Sequence, residues 1–294
     1  MIPMLMAIPC FIASVVLFIL ALADILDDGY KWIGVIPFAI CVAVGIVSNG
    51  INEWWYTKNP KRLVAFEQRI LQQHFPYYRA LNEQLKIEFE RRLSVFRMQK
   101  SFHMRGAKRL PGDIQLLVGA CAIQLTMGLP RSRELFSKLG VIVLFPQLFI
   151  TPKMNEQLHA VELDLDEPHD CLLLSINMFV DGITKPSRYY NTGLYGFAKV
   201  LRKELKLTDK DIPSKLGRKE LLVRLHQMRN FTAGYIFKYT ALPDFELFEM
   251  CVEQFFMFPK QLNKYLPKVY AYFMNILLQD PMNSQNPVIQ LVDL

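Results

Sequence analysis

The order of apolar and polar positions divides the chain into an apolar amino-terminal part and a longer amphipathic part. Residues 1–23 carry no charge, and residues 32–52 carry none either. Each stretch is long enough to cross a hydrocarbon core of about 30 Å as a helix rising about 1.5 Å per residue. A two-helix transmembrane hairpin over 1–56 is therefore expected, with Asp24, Asp27, Asp28 and Lys31 in its connecting loop. A cleaved signal peptide is the rival for the first span, but no basic n-region precedes it and a second span follows almost at once. Lys58, Lys61 and Arg62 follow the second span, so the positive-inside rule puts both ends of the hairpin, and the large domain over 57–294, in the cytoplasm. Trp54, Trp55 and Tyr56 fall where an interfacial aromatic belt would lie.

Beyond the hairpin the pattern changes to helical and strand periods. A helix is expected from Asn59-Pro60 to about Gln73, interrupted at Phe75-Pro76. Leu81, Leu85, Phe89, Leu93 and Phe96 then recur at three- and four-residue spacing, which predicts a helix covering a core, or alternatively one that binds a partner. Lys100 to Arg109 reads as a basic loop. Gly112 to about Gly128 is apolar enough for a helix buried nearly all round. Val141–Phe145, Leu148–Ile150 and Cys171–Ser175 read as short buried strands, the last as an edge that could receive an extended peptide. Val161 to Asp166 alternates strictly, predicting a half-exposed strand with one acidic face. Further helices are expected over about 189–206, 218–231, 243–258 and 268–278. The sum is an α+β domain, mostly helical with a small mixed sheet.

Composition adds constraints. The mean hydropathy of +0.16 comes from the two uncharged stretches. The first 53 residues hold four acids and one base, so the total of +7 leaves about +10 on the rest, which suits anionic lipid. No nucleic-acid motif accompanies that charge, and nucleic acid is not expected as a partner. Five cysteines, odd in number and widely spread, do not form a disulfide framework or a Cys-x-x-Cys zinc site.

One stretch, Tyr189 to Leu201, holds Asn191 and then Tyr195-Gly196-Phe197-Ala198-Lys199. Together with Gln115–Leu129, the apolar run ending Phe145-Pro-Gln-Leu-Phe149, Leu172–Ser175, Glu246-Leu-Phe248, Glu253-Gln-Phe-Phe256 and Gln279-Asp-Pro281, it resembles the Mlc titration factor A (MtfA) type of zinc peptidase in order and spacing. That resemblance implies a zincin-like fold. The family's motif is commonly His-Glu-Phe-Ala-His, in which imidazoles four apart reach one zinc and the Glu polarises its water. Tyr195, Gly196 and Lys199 stand at those three positions, so the motif is degenerate. The resemblance further matches Glu246 to the third metal ligand and Tyr239 to a residue that stabilises the intermediate.

The implied site therefore holds no catalytic set and no expected metal. Lys199 is expected to pair with Glu246, sharing Glu249, with Tyr195 bonded to the same carboxylates; independent solvated charges are the alternative. Tyr239 and Glu249 are possible cleft residues, although Tyr239 also fits a core position and Glu246, Glu249 and Glu253 also fit a solvated acidic face. His74, His103, His159, His169 and His226 show no metal-ligand spacing. The expected function is a membrane-anchored, catalytically degenerate protein of a bacterial inner membrane. It would bind a protein or peptide in a regulatory role, as the family's namesake binds a transcriptional repressor. The alternative is a zinc-dependent metallopeptidase of the MtfA type with non-standard ligands.

Overall fold

The computed structural model describes residues 12–13, 15–16, 59–106, 109–130, 135–154, 157–164, 170–214, 216–228, 246–283 and 286–289. The chain forms two units, Met1–Lys61 and Arg62–Leu294. In the first, residues 12–13 and 15–16 are helical, and the expected hairpin otherwise lies outside the described residues. Among the described residues no helix is long and apolar enough to cross a membrane.

The second unit is mostly helical with a small mixed sheet. Its helices are α1 (Ala65–His74), α2 (Pro76–Ala80), α3 (Glu83–Gln99), α4 (Gly112–Thr126), α5 (Ile176–Thr184), α6 (Thr192–Glu204), α7 (Arg218–Gln227), α8 (Leu247–Met257), α9 (Pro259–Tyr265) and α10 (Pro267–Leu277). Prolines open α2, α9 and α10, where a missing N–H removes nothing from the helix. Asn82 caps α3 by accepting the Leu85 N–H at 2.9 Å. The apolar stripe of α3 is buried as its spacing predicts, but Glu88 is buried too and holds Arg92 at 2.7 Å.

Four strands, β1 (Ser101–Met104), β2 (Leu139–Phe145), β3 (Val161–Asp164) and β4 (Asp170–Ser175), lie in the order β1-β2-β4-β3. β1 and β4 pair parallel with β2, and β3 pairs antiparallel with β4. This arrangement corrects three expectations. The basic loop contains a strand, β1. Leu148–Ile150 forms only the single bridge Phe149 to His159. Cys171–Ser175 is not an edge: β4 is paired on both sides, and the edges are β1 and β3. The acidic face of β3 is not solvated throughout either, because Glu162 is buried against His159, 3.1 Å away, and the Thr151 hydroxyl donates to it.

The most buried helix, α4, poses a problem at its carboxyl end, where the last carbonyls have no partner within the helix. Distant side chains meet that need. Gln279 Nε2 donates to the carbonyls of Gln124 at 2.9 Å and Leu125 at 3.2 Å, while Arg92 Nη1 donates to those of Thr126 and Leu129, both at 2.9 Å. Tyr77 donates its hydroxyl to Gln279 Oε1, fixing the amide's orientation. The carboxyl-terminal Gln-Asp-Pro thus closes the core. Gln279→Ala is expected to destabilise the full chain by roughly 2–4 kcal/mol in urea unfolding, because two buried carbonyls and a buried phenol lose a partner together. Tyr77→Phe, which frees one amide oxygen only, should cost about 1 kcal/mol.

Candidate functional site

Helix α6 carries the stretch singled out in the sequence, and Asn191 and Phe197 turn out to position the helix. Asn191 caps it by accepting the Leu194 N–H at 3.0 Å, and Glu253 on α8 accepts the Asn191 N–H at 3.1 Å. Phe197 is buried between Phe96 and Phe136, with ring centroids 5.8 and 5.5 Å away. Two glycines, each of which costs a helix about 1 kcal/mol relative to Ala, let it approach its neighbours closely. A Cβ on Gly193 would come within 2.5 Å of Phe179. A Cβ on Gly196 would lie 3.1–3.2 Å from Leu172, Leu174 and Val161, so this position faces the aliphatic surface of the sheet.

Tyr195 and Lys199 converge with Glu246, the residue preceding α8. Lys199 Nζ lies 3.1 Å from Glu246 Oε1 and 5.6 Å from the centroid of the Tyr195 ring. Tyr195 is fully buried, and its hydroxyl accepts the backbone N–H of Glu246 at 3.1 Å. The expected partnership with Glu249 belongs to a residue the sequence reading missed: Arg202, one turn beyond Lys199. Its Nη2 is 2.8 Å from Glu246 Oε2, and its Nη1 is 3.2 Å from Glu249 Oε2 and 3.4 Å from Asp209 Oδ1. Arg218 reaches the other oxygen of Asp209 at 3.2 Å. The signal for Arg202 lay in the spacing: Lys199 and Arg202 are three apart on one helix, as Glu246 and Glu249 are on the other.

The two carboxyls behave differently. Burial raises the pKa of Glu246, but Lys199 and Arg202, with a hydrogen bond from Glu249, outweigh it and hold the group below its usual range. Glu249 is fully buried; burial first, and the neighbouring Glu246 charge second, push it up to about 8. It therefore keeps its proton at neutral pH, and its Oε1 has no hydrogen-bond partner among the described residues. Burial also pushes the Tyr195 phenol well above its ordinary range. A cavity of about 530 Å³ opens beside this network, lined among others by Arg202, Asp209, Glu246, Lys210 and Arg218.

Such a donor set does not fit zinc. The ion needs deprotonated nitrogen, sulfur or oxygen ligands, and here an ammonium and a guanidinium already hold the Glu246 carboxylate, while Arg202 and Arg218 hold that of Asp209. Gly196 offers no base for a metal-bound water. Among the described residues no three His, Cys, Asp or Glu side chains gather as a metal site. His159 is committed to Gln157 and Glu162, while Tyr239 and His169 lie outside the described residues.

Two predictions follow from this charge arrangement. Lys199 is only partly buried, and Arg202 would still hold Glu246 without it, so Lys199→Ala should cost about 1–2 kcal/mol in chemical unfolding, less than a fully broken buried pair. Arg202→Ala strips partners from three carboxyls and should cost about 3 kcal/mol or more; equal effects of the two substitutions would contradict the geometry. The raised Glu249 makes a stabilising contribution that is fully present below about pH 4.5, where the unfolded carboxyl is also protonated, and is lost as pH rises through about 8. Glu246, lowered in the fold, acts in the opposite sense, its contribution being lost as pH falls below the ordinary carboxyl range. Glu249→Gln should therefore flatten the decline in urea midpoint between pH 4.5 and about 8.

Among curated proteins none matches the chain. The model of a family described as glucose-regulated metallo-peptidase M90, the family of the MtfA type, matches residues 52–277. The matched span takes in all the helices and strands named above for the second unit, including α6, and with them Glu246 and Glu253. The chain therefore belongs to the M90 family of glucose-regulated metallo-peptidases.

Proposed function

We propose that this chain is a catalytically silent member of its metallo-peptidase family, in which an ion-pair network stands at the metal position and a peptide or protein is bound rather than cut. One observation carries the reading: Lys199 and Arg202 both bind the carboxylate of Glu246, filling with two cations the position the family resemblance gives to a metal ligand. An ionised carboxylate left alone in a half-buried site is unfavourable, and a cation from the protein removes that penalty as a metal ion would. The absence of a base at Gly196 points the same way. A zincin-like frame, a tether formed by the two uncharged amino-terminal stretches, a cytoplasmic large domain and a regulatory role complete the proposal. Its support is the sequence pattern and the cavity beside Glu246, which offers a peptide both charges and an apolar wall at Leu207.

A second reading is favoured by the family match itself: a zinc-dependent metallopeptidase of the MtfA type with non-standard ligands, Glu246 and Glu249 among them. The two readings part on metal. The full chain, purified in detergent, loaded with zinc and dialysed against metal-free buffer, is expected to retain no tightly held zinc and to leave unstructured peptide substrates uncut. About one zinc per chain, together with cleavage that a chelator stops, would establish the second reading instead.

A further inference from the structure

We infer that the outward face of α1 is a contact for an anionic membrane surface, held by aromatic and guanidinium side chains rather than by the apolar stretches alone. This inference rests on the tethering part of the proposed function. The segment that begins the second unit is turned in two directions. Leu63 and Leu71 are buried in the core, whereas Val64 is 60% and Phe66 66% exposed. Single exposed apolar residues are common and mean little. The surroundings set this pair apart. Arg69 and Gln73 follow Phe66 at three and seven residues along the helix, on the same face, and both are exposed, as is Arg62 just before the helix.

The only acid of α1, Glu67, is neutralised by an arginine, although its Oε2 also accepts the backbone N–H of Val64 at 3.3 Å. Glu67 is held by Arg97 of α3 at 2.7 Å, and the neighbouring Gln68 donates to Glu90 of the same helix at 2.9 Å. What remains outward is an aromatic ring and an aliphatic side chain flanked by arginines, the combination that settles at the boundary between headgroups and acyl chains. Chain length keeps the face within reach of a bilayer crossed by the uncharged stretch. Residues 53–64 separate the uncharged stretch ending at Asn52 from α1, and such a length spans at most about 43 Å even when fully extended. Lys58 and the Trp54-Trp55-Tyr56 run lie within it and favour the same surface. Ile87, Ile150, Leu158 and Val223, exposed elsewhere in the second unit, have no such link to an uncharged stretch.

The test uses the full chain in phosphatidylcholine vesicles with and without phosphatidylglycerol, containing lipids brominated near the headgroup end of the acyl chains. A small fluorescent amino acid replaces Phe66 in one preparation and Val223 of α7 in another. Quenching several-fold stronger at 66 than at 223, present with phosphatidylglycerol and largely lost in neutral vesicles or with Arg62→Glu and Arg69→Glu, is the expected result. Equal quenching at the two positions, or quenching at 66 indifferent to lipid charge, would overturn the inference. Alkaline carbonate extraction reads the tether separately: a chain that washes off completely defeats the tethered reading, while the reporter at 66 still decides whether α1 meets the lipid.

Discussion

The contact between Glu253 and the backbone of Asn191 sets the geometry of everything around it. It fixes the residue whose side chain caps α6, and α6 in turn presents Tyr195, Lys199 and Arg202 towards the start of α8. Because Glu253 also belongs to α8, the two helices are registered by a hydrogen bond at one end and by ion pairs at the other. A helix held this way has little freedom to slide, so distances between its charged groups and Glu246 follow from the frame rather than from the charges themselves. That separation lets the frame and the charged groups be considered apart. Asn191, Phe197 and Glu253 do mechanical work, and mechanical work does not depend on a metal.

Much of the fold could be read from periodicity. The stripe of α3, the all-round apolar α4, and strands β2 and β4 announce themselves because each buries a face whose spacing matches its backbone period. What escaped the reading depended on partners distant in sequence. β1 is short and carries polar residues, so only its pairing with β2 reveals it. Ile176–Thr184 continues directly from β4 with no break to mark the change of period. Glu162 looked solvated because its alternation is regular; its partners Thr151 and His159 are near in sequence but reach it through the Phe149–His159 bridge, which alternation along one strand does not show.

The site shows the same division. Lys199 and Glu246 could be paired in advance through the family resemblance, and the structure brings them together. Arg202 had no counterpart in that argument, since it occupies none of the motif positions, yet it makes more contacts to carboxyls than Lys199 does. The difference in ionisation between Glu246 and Glu249 was likewise hidden. Spacing alone gives two carboxyls three residues apart, and only burial separates the half-buried one, ionised between two cations, from the fully buried one that keeps its proton.

Gly196 carries a consequence for any side chain placed there. A Cβ would lie 3.1–3.2 Å from aliphatic carbons of Leu172, Leu174 and Val161, on β4 and β3, so even a methyl group must push the surface of the sheet back. A longer acidic side chain would carry its carboxylate into that apolar packing, which is costly without a cation beside it. The tight seat of α6 on the sheet therefore acts as a filter on the helix's own sequence: at this position it favours the residue with no side chain and penalises those that bring chemistry.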